Sequence, residues 1–306
     1  MELFADPGPR VFTIAPGLPF ARALADGVVA RLAAAGAGPE ALADVEIVVS
    51  TRRAARAIRS AFIAACGGVA LGPRLKTLAE LGADEGVALD APAAIDPTAR
   101  RLALTRLVRA LLVQRPDLGA TAAAPGLAAD LEALLDAAQA SGARLDRLDA
   151  VIAEARHAEH WRVSSQFLDL IRTVWPAHLD EIDRIDPAAR NRRAVAALET
   201  RWADHPPRHP VIVAGSTGSL DTSAWFIELV SRLPQGAVVL PGLDQEMDAD
   251  CERALREHGA PEHPQAGLIA LIDRIGTDRA AVADWAPDRR AHAAPRLRLL
   301  SQALRP

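Results

Sequence analysis

The chain has 306 residues, with 35 Lys+Arg set against 39 Asp+Glu and a formal net charge of −4. At roughly 100–200 residues per domain that length suggests two domains, and the near balance of signs argues against a polycation that coats nucleic acid over its whole surface. Two cysteines, Cys66 and Cys251, lie far apart and outside any CxxC, which excludes a disulfide scaffold and a zinc ribbon.

No apolar run approaches the roughly 18 residues of a membrane span. No basic segment precedes an apolar one at the N-terminus, so a cytoplasmic chain without a membrane partner is expected. Lys76 is the only lysine and tyrosine is absent. A GC-rich coding sequence alone would produce that arginine bias, so only the positions of the arginines carry information.

In chain order, Val11–Ala15 reads as a short strand, Pro16-Gly17-Leu18-Pro19 breaks it, and Phe20–Ala35 reads as a helix with Leu24, Val28 and Leu32 on one face. A second strand is expected at Val45–Val49. Ser50 and Thr51 are N-cap types, and a helix is expected from Arg52 to Ala65. This β-α-β-α order predicts a parallel α/β sheet. From Asp96 to His205 the apolar spacing is helical and predicts an all-helical insertion. Asp96-Pro97 and Asp186-Pro187 place proline where a first helical turn accepts it. The strand–loop–helix pattern then resumes, with strands at 210–214 and 237–240 and helices at 221–233, 246–258 and 264–275. The last stretch, 286–306, is rich in Pro, Arg and Ala and reads as a linker, with Leu299-Leu300 left without a surface to pack on.

Three strand–helix junctions could carry chemistry. The first, Ala15 to Arg22, sits where a phosphate-binding loop would sit, but Pro16 and Pro19 remove two amide donors and the segment has no Lys, Ser or Thr. The second is Ser50-Thr51 with the helix that follows. Between Glu46 and Glu80 there is no acidic residue, while Arg52, Arg53, Arg56, Arg59, Arg74 and Lys76 are all cationic. Arg52, Arg56 and Arg59 share one helical face, opposite Ala55, Ile58 and Phe62. Two arginines in a first turn oppose the helix dipole by roughly 0.3–1 kcal/mol each, a cost that a docked anion would offset. An ordinary N-cap with a solvated basic face is the plain alternative. The third junction, Gly215-Ser216-Thr217-Gly218-Ser219, is expected on the same sheet edge as Ser50-Thr51. It is not G-x-S-x-G, and by itself it is compatible with a simple βα turn. His157 and His160 lie near Glu154 and Glu159 without the H-E-x-x-H spacing, and His205, His209 and His263 fall in loops, so no metal site is expected. Trp161, Trp175, Trp202, Trp225 and Trp285 sit among apolar residues and are expected in the core.

Taken together, Val11–Phe20, the Ile47–Arg56 segment with its Thr-Arg-Arg-Ala-Ala-Arg run, Val211–Ser219, Leu233–Asp244 and Pro261–Gln265 resemble the alphaproteobacterial type of the AddB family of double-strand-break repair proteins. The resemblance implies a RecA-like, superfamily 1 helicase-like parallel sheet with a large helical insertion. It implies a non-motor, DNA-binding part of the AddAB helicase–nuclease, which resects broken ends for homologous recombination. Its partners would be single-stranded and duplex-end DNA and the AddA subunit, which carries the motor with its ATP and Mg²⁺. By the same resemblance Ser50, Thr51, Arg52, Arg53 and Arg56 grip single-stranded DNA phosphates and Ser216 and Thr217 contact DNA. Pro16, Gly17, Leu18 and Pro19 form a degenerate nucleotide loop. The family's nuclease domain and iron–sulfur cluster lie C-terminal to anything in this sequence, so a fragment without catalytic residues or a cofactor of its own is expected. The expected divisions are 1–95 and 206–285 for the sheet, 96–205 for the insertion and 286–306 for the linker. A nucleotide- or sugar-phosphate-binding enzyme built on the Gly215–Ser219 loop, and a pure protein-interaction scaffold, remain as rivals.

Overall fold

The computed structural model describes residues 3–4, 9–69, 71–83, 91–142, 167–258 and 262–305. The chain divides into two compact units, Met1–Leu81 with Leu198–Pro306, and Gly82–Ala197. The elements begin β1 (Val11–Ile14), α1 (Phe20–Ala34), β2 (Glu46–Val49), α2 (Arg52–Ala65), β3 (Arg74–Thr77), α3 (Pro97–Gln114), α4 (Ala124–Ala140), α5 (Trp175–Glu181) and α6 (Pro187–Asp204). They continue with β4 (Val211–Ala214), α7 (Asp221–Ser231), β5 (Gly236–Pro241), α8 (Ala249–His258), α9 (Ala266–Ile275), β6 (Ala283–Asp284) and α10 (Pro287–Ala303).

The first unit is an α/β fold around a six-stranded, all-parallel sheet of order β3-β2-β4-β5-β1-β6, consistent with a RecA-like sheet whose insertion enters between β3 and β4. Its central strands are apolar on both faces because both faces are covered. Ile47, Val49, Ile212, Ala214, Ala237 and Val239 join the core formed with α1, α2 and Trp285, and α7 packs on β4 and β5. The one polar residue inside β1, Thr13, is fully buried; its hydroxyl donates to the Leu240 carbonyl at 3.3 Å and accepts from the Leu243 amide at 3.1 Å. That pair satisfies a buried hydroxyl and ties β1 to the loop after β5.

Connections run both ways along the sheet. α2, after β2, lies in the same core as α1, whereas α7, after β4, packs on α9. The adjacent loops after β2 and β4 therefore leave toward opposite faces, and so do those after β1 and β5. Such switch points open crevices at the carboxyl edge of a parallel sheet.

Two short strands were not expected from sequence. β3 is an edge strand of Arg-Leu-Lys-Thr, and β6 is two residues long. The linker expected at 286–306 is instead helical over Pro287–Ala303, although Pro295 sits inside it. Leu297 is buried there, Arg289 pairs with Asp26, and Arg290 pairs with Glu246 and Asp284, both at 2.7 Å. Tertiary packing thus outweighs the roughly 3 kcal/mol that an interior proline costs a helix.

The second unit is helical; among the described residues its only strand-like pairing is the isolated bridge Ala94–Ile185. Its bounds differ at both ends from those expected for the insertion. Asp96 caps α3 by accepting from the amides of Thr98 and Ala99. A π-helical turn at Leu170–Val174 leads into α5, whose second residue, Pro176, has no amide to continue the ladder. Leu104, Val108, Leu131, Leu135, Ile171 and Trp175 form its core. Beside them Arg100, 3% exposed, meets Asp186, 1% exposed, at 2.8 Å and Asp136 at 2.8 Å. Trp175 Nε1 and Gln139 Nε2 donate to the other Asp186 oxygen at 2.9 and 2.6 Å. Burial pushes the Asp136 carboxyl up from its ordinary value, against the opposing pull of Arg100. No helix among the described residues is long and apolar enough to cross a membrane.

Candidate nucleic-acid interface

The three sequence-predicted junctions meet at the carboxyl edge of the sheet. Ser50 ends the β2 extension, and its hydroxyl donates to the Gly215 carbonyl after β4 at 3.0 Å. Gly215 has φ +72°, and a Cβ there would stand 3.2 Å from the Phe20 ring at the start of α1. Glycine is needed at this position for its backbone and for that close approach. The turn after β1, the N-terminus of α2 and the loop after β4 therefore form one continuous rim.

Thr51 is the N-cap of α2: its Oγ1 accepts from the Ala54 amide at 3.1 Å. The Arg52 side chain is 81% exposed yet anchored, with Nη2 2.5 Å from Glu80 Oε1. The other Glu80 oxygen accepts from the Thr77 hydroxyl at 2.6 Å. The Thr77 hydroxyl, followed by the Arg52 guanidinium, holds the Glu80 carboxyl below its usual range. Arg53, Arg56 and Arg59 are exposed, and none has a carboxylate partner among the described residues. The apolar face of the same helix is buried through Ile58 and Phe62. Three guanidinium groups without a carboxylate partner among the described residues thus project from a helix whose first turn carries no acid.

Arg74 and Lys76 do not join them. The Arg74 Nη2 donates to the Asp44 carbonyl at 3.3 Å, and Lys76 pairs with Glu46, at the opposite end of β2 from Ser50, at 3.1 Å. Their charge sits on an edge strand, where it discourages pairing with a foreign strand. His209 approaches the same Glu46 at 3.8 Å; burial, reinforced by Arg74, lowers its pKa from the ordinary value.

In the loop after β4, Ser216 is 9% exposed and its hydroxyl turns inward to accept from the Gly218 amide at 3.3 Å. Thr217 and Ser219 are exposed. In the turn after β1, Leu18 N–H closes onto the Ala15 carbonyl at 3.3 Å, and Gly17 takes φ +78°. Pro16 and Pro19 offer no amide, Arg22 is paired with Asp26 at 2.8 Å, and the Arg296 guanidinium of α10 covers Gly17. This turn does not fit a nucleotide triphosphate: it lacks the run of amides and the lysine that would hold one.

Of the tryptophans, Trp175 and Trp285 are core residues, whereas Trp202 and Trp225 are only half-buried. His157, His160, Trp161 and Pro261 lie outside the described residues. Among the described residues no cluster of three or more His, Cys, Asp or Glu side chains could hold a metal ion. Two residues of the rim escaped sequence reasoning, Glu80 and Phe20. Glu80 carried a signal, as the first acid after the acid-free stretch; Phe20 carried none, because its ring is defined by Gly215, far away in sequence. Comparison with protein-family models and with curated protein sequences finds no match to this chain.

Proposed function

We propose that this chain is a non-motor, single-stranded-DNA-binding part of an AddAB-type helicase–nuclease that acts in double-strand-break repair, and that AddA is its partner. The observation that carries the reading is the rim itself: Ser50 joined to Gly215, with Arg53, Arg56 and Arg59 exposed on α2 beside it and without carboxylate partners among the described residues. The phosphate backbone crosses the N-terminus of α2. The exposed amides of its first turn and the guanidinium groups meet the phosphates, and Thr217 and Ser219 add hydroxyls from the neighbouring loop. Arg52 is held in reserve by Glu80. The turn after β1 supports the absence of a motor step, since it lacks what a triphosphate needs.

The test is a titration of the full chain with a fluorescent oligothymidylate at several salt concentrations. Each lost phosphate contact flattens the slope of log K against log salt by about 0.7. The double variant Arg53→Ala/Arg56→Ala is expected to flatten it by about 1.4. An affinity and slope equal to those of the wild type would reject the site.

A further inference from the structure

The second crevice of the sheet, between β1 and β5, holds a cavity of about 210 Å³. Its walls come from Pro16 in the turn after β1, Leu243 after β5, and Leu297, Leu300 and Leu304 in and just past α10. The polar groups around it are tied to one another, with one guanidinium set among several carboxylates. Arg290 donates to Gln245 Oε1 at 2.5 Å, to Glu246 Oε1 at 2.7 Å and to Asp284 Oδ2 at 2.7 Å. The Gln265 side chain accepts from the Asp244 amide at 2.9 Å and donates to the Gly242 carbonyl at 3.1 Å. Ser301 contributes a wall hydroxyl with no partner among the described residues.

We infer that this cavity binds one small, uncharged aromatic molecule, of benzene to indole size. Volume decides the size: sites for drug-sized ligands occupy roughly 300–1,000 Å³, while an apolar cavity of about 150 Å³ already takes benzene. Charge decides the class. The one cation among the described wall residues, Arg290, is engaged with carboxylates, and the Asp244 and Glu246 carboxylates repel a phosphate. What remains is a leucine-lined space that gains dispersion contacts when filled, with Ser301 as a single hydrogen-bonding handle for a ring N–H. The inference does not depend on the DNA reading, although Pro16 in its wall belongs to the turn after β1 that also borders the rim.

Fluorine NMR of 5-fluoroindole with the full chain, followed by calorimetry, tests it. The wild type is expected to broaden the fluorine resonance with a Kd on the order of 0.1–1 mM, the range open to so small a ligand. Leu300→Trp and, separately, Leu304→Trp put an indole of the protein's own into the space and are expected to weaken binding by about tenfold or more. Leu304 is 36% exposed just past α10, so its variant keeps the test decisive if Leu300→Trp fails to fold. ATP at millimolar concentration is expected to leave 5-fluoroindole bound. No broadening by the wild type, an unchanged Kd in the folded variants, or displacement by ATP would each overturn the proposal.

Discussion

Single side chains in this molecule are governed by where their charge is spent. Asp186 accepts from Arg100, Gln139 and Trp175 at once, inside the helical unit. Asp186→Ala leaves the Arg100 guanidinium buried with part of its partnership gone, and breaking a buried pair in this way costs about 3–5 kcal/mol. Urea unfolding followed by tryptophan fluorescence should show a loss of that size; a loss below about 1 kcal/mol would mean that Asp136 and Glu132, which lies 3.5 Å from Arg100 Nη1, suffice. His209 gives a pH signature. Its folded pKa lies below the ordinary 6.5 because burial, and then Arg74, disfavour the charged ring. Between the folded and unfolded values the unfolded chain binds more protons, so stability falls as pH drops below about 6.5 and levels off above it. His209→Gln should remove this component of the slope in pH-dependent thermal melts; an identical slope in the variant would contradict the assignment. The sequence marked Asp186 only as the residue before a helix-starting proline and His209 only as a loop residue, and showed neither one's partners. Gly27 is a comparable case, a glycine inside α1 whose missing Cβ leaves room for the Trp285 indole nitrogen, 2.2 Å from where that atom would be. Such constraints join positions far apart in the chain, and local spacing carries no trace of them.

At the scale of elements, α2 was legible over its whole length because its cap, its arginine stripe and its apolar face all obey one helical period. β3 was not. It is short, and its Arg74 and Lys76 alternate with Leu75 and Thr77 on an edge where charge is tolerated. α10 was misread because Pro295 and a wealth of arginine suggest a linker; the burial of Leu297 and the distant carboxylates of Asp26, Glu246 and Asp284 explain why the segment folds. The cap of α2 also separates structure from binding. Aspartate caps a helix at least as well as threonine and suits the positive end of the dipole. Thr51→Asp should therefore keep the melting temperature at or above that of the wild type. In oligothymidylate titrations the same variant should bind more weakly, because the added carboxylate faces the phosphates. Unchanged DNA affinity would leave Thr51 as a cap and nothing more.

For the whole molecule, the sheet was readable because parallel strands covered on both faces become unbroken apolar runs, as in Val211–Ala214 and Ile47–Val49. The order of those strands was not readable, since it depends on crossovers that no local pattern encodes. That order places Ser50 beside Gly215 and turns separate motifs into one rim. The register of β3 on β2 sets Arg74 beside Glu46, and Lys76 turns back to the Glu46 carboxylate, so the charge that the sequence had grouped with the rim is engaged at the other end of β2 and α2 carries the exposed arginines. The claim that single-stranded DNA lies across this rim is tested most directly by hydrogen–deuterium exchange of the full chain with and without oligothymidylate. The account predicts slowed exchange confined to residues 50–59 and 215–219, with the amides of 74–77 unchanged. Slowed exchange centred on β3 or on the helical unit, or none at saturating DNA, would contradict it.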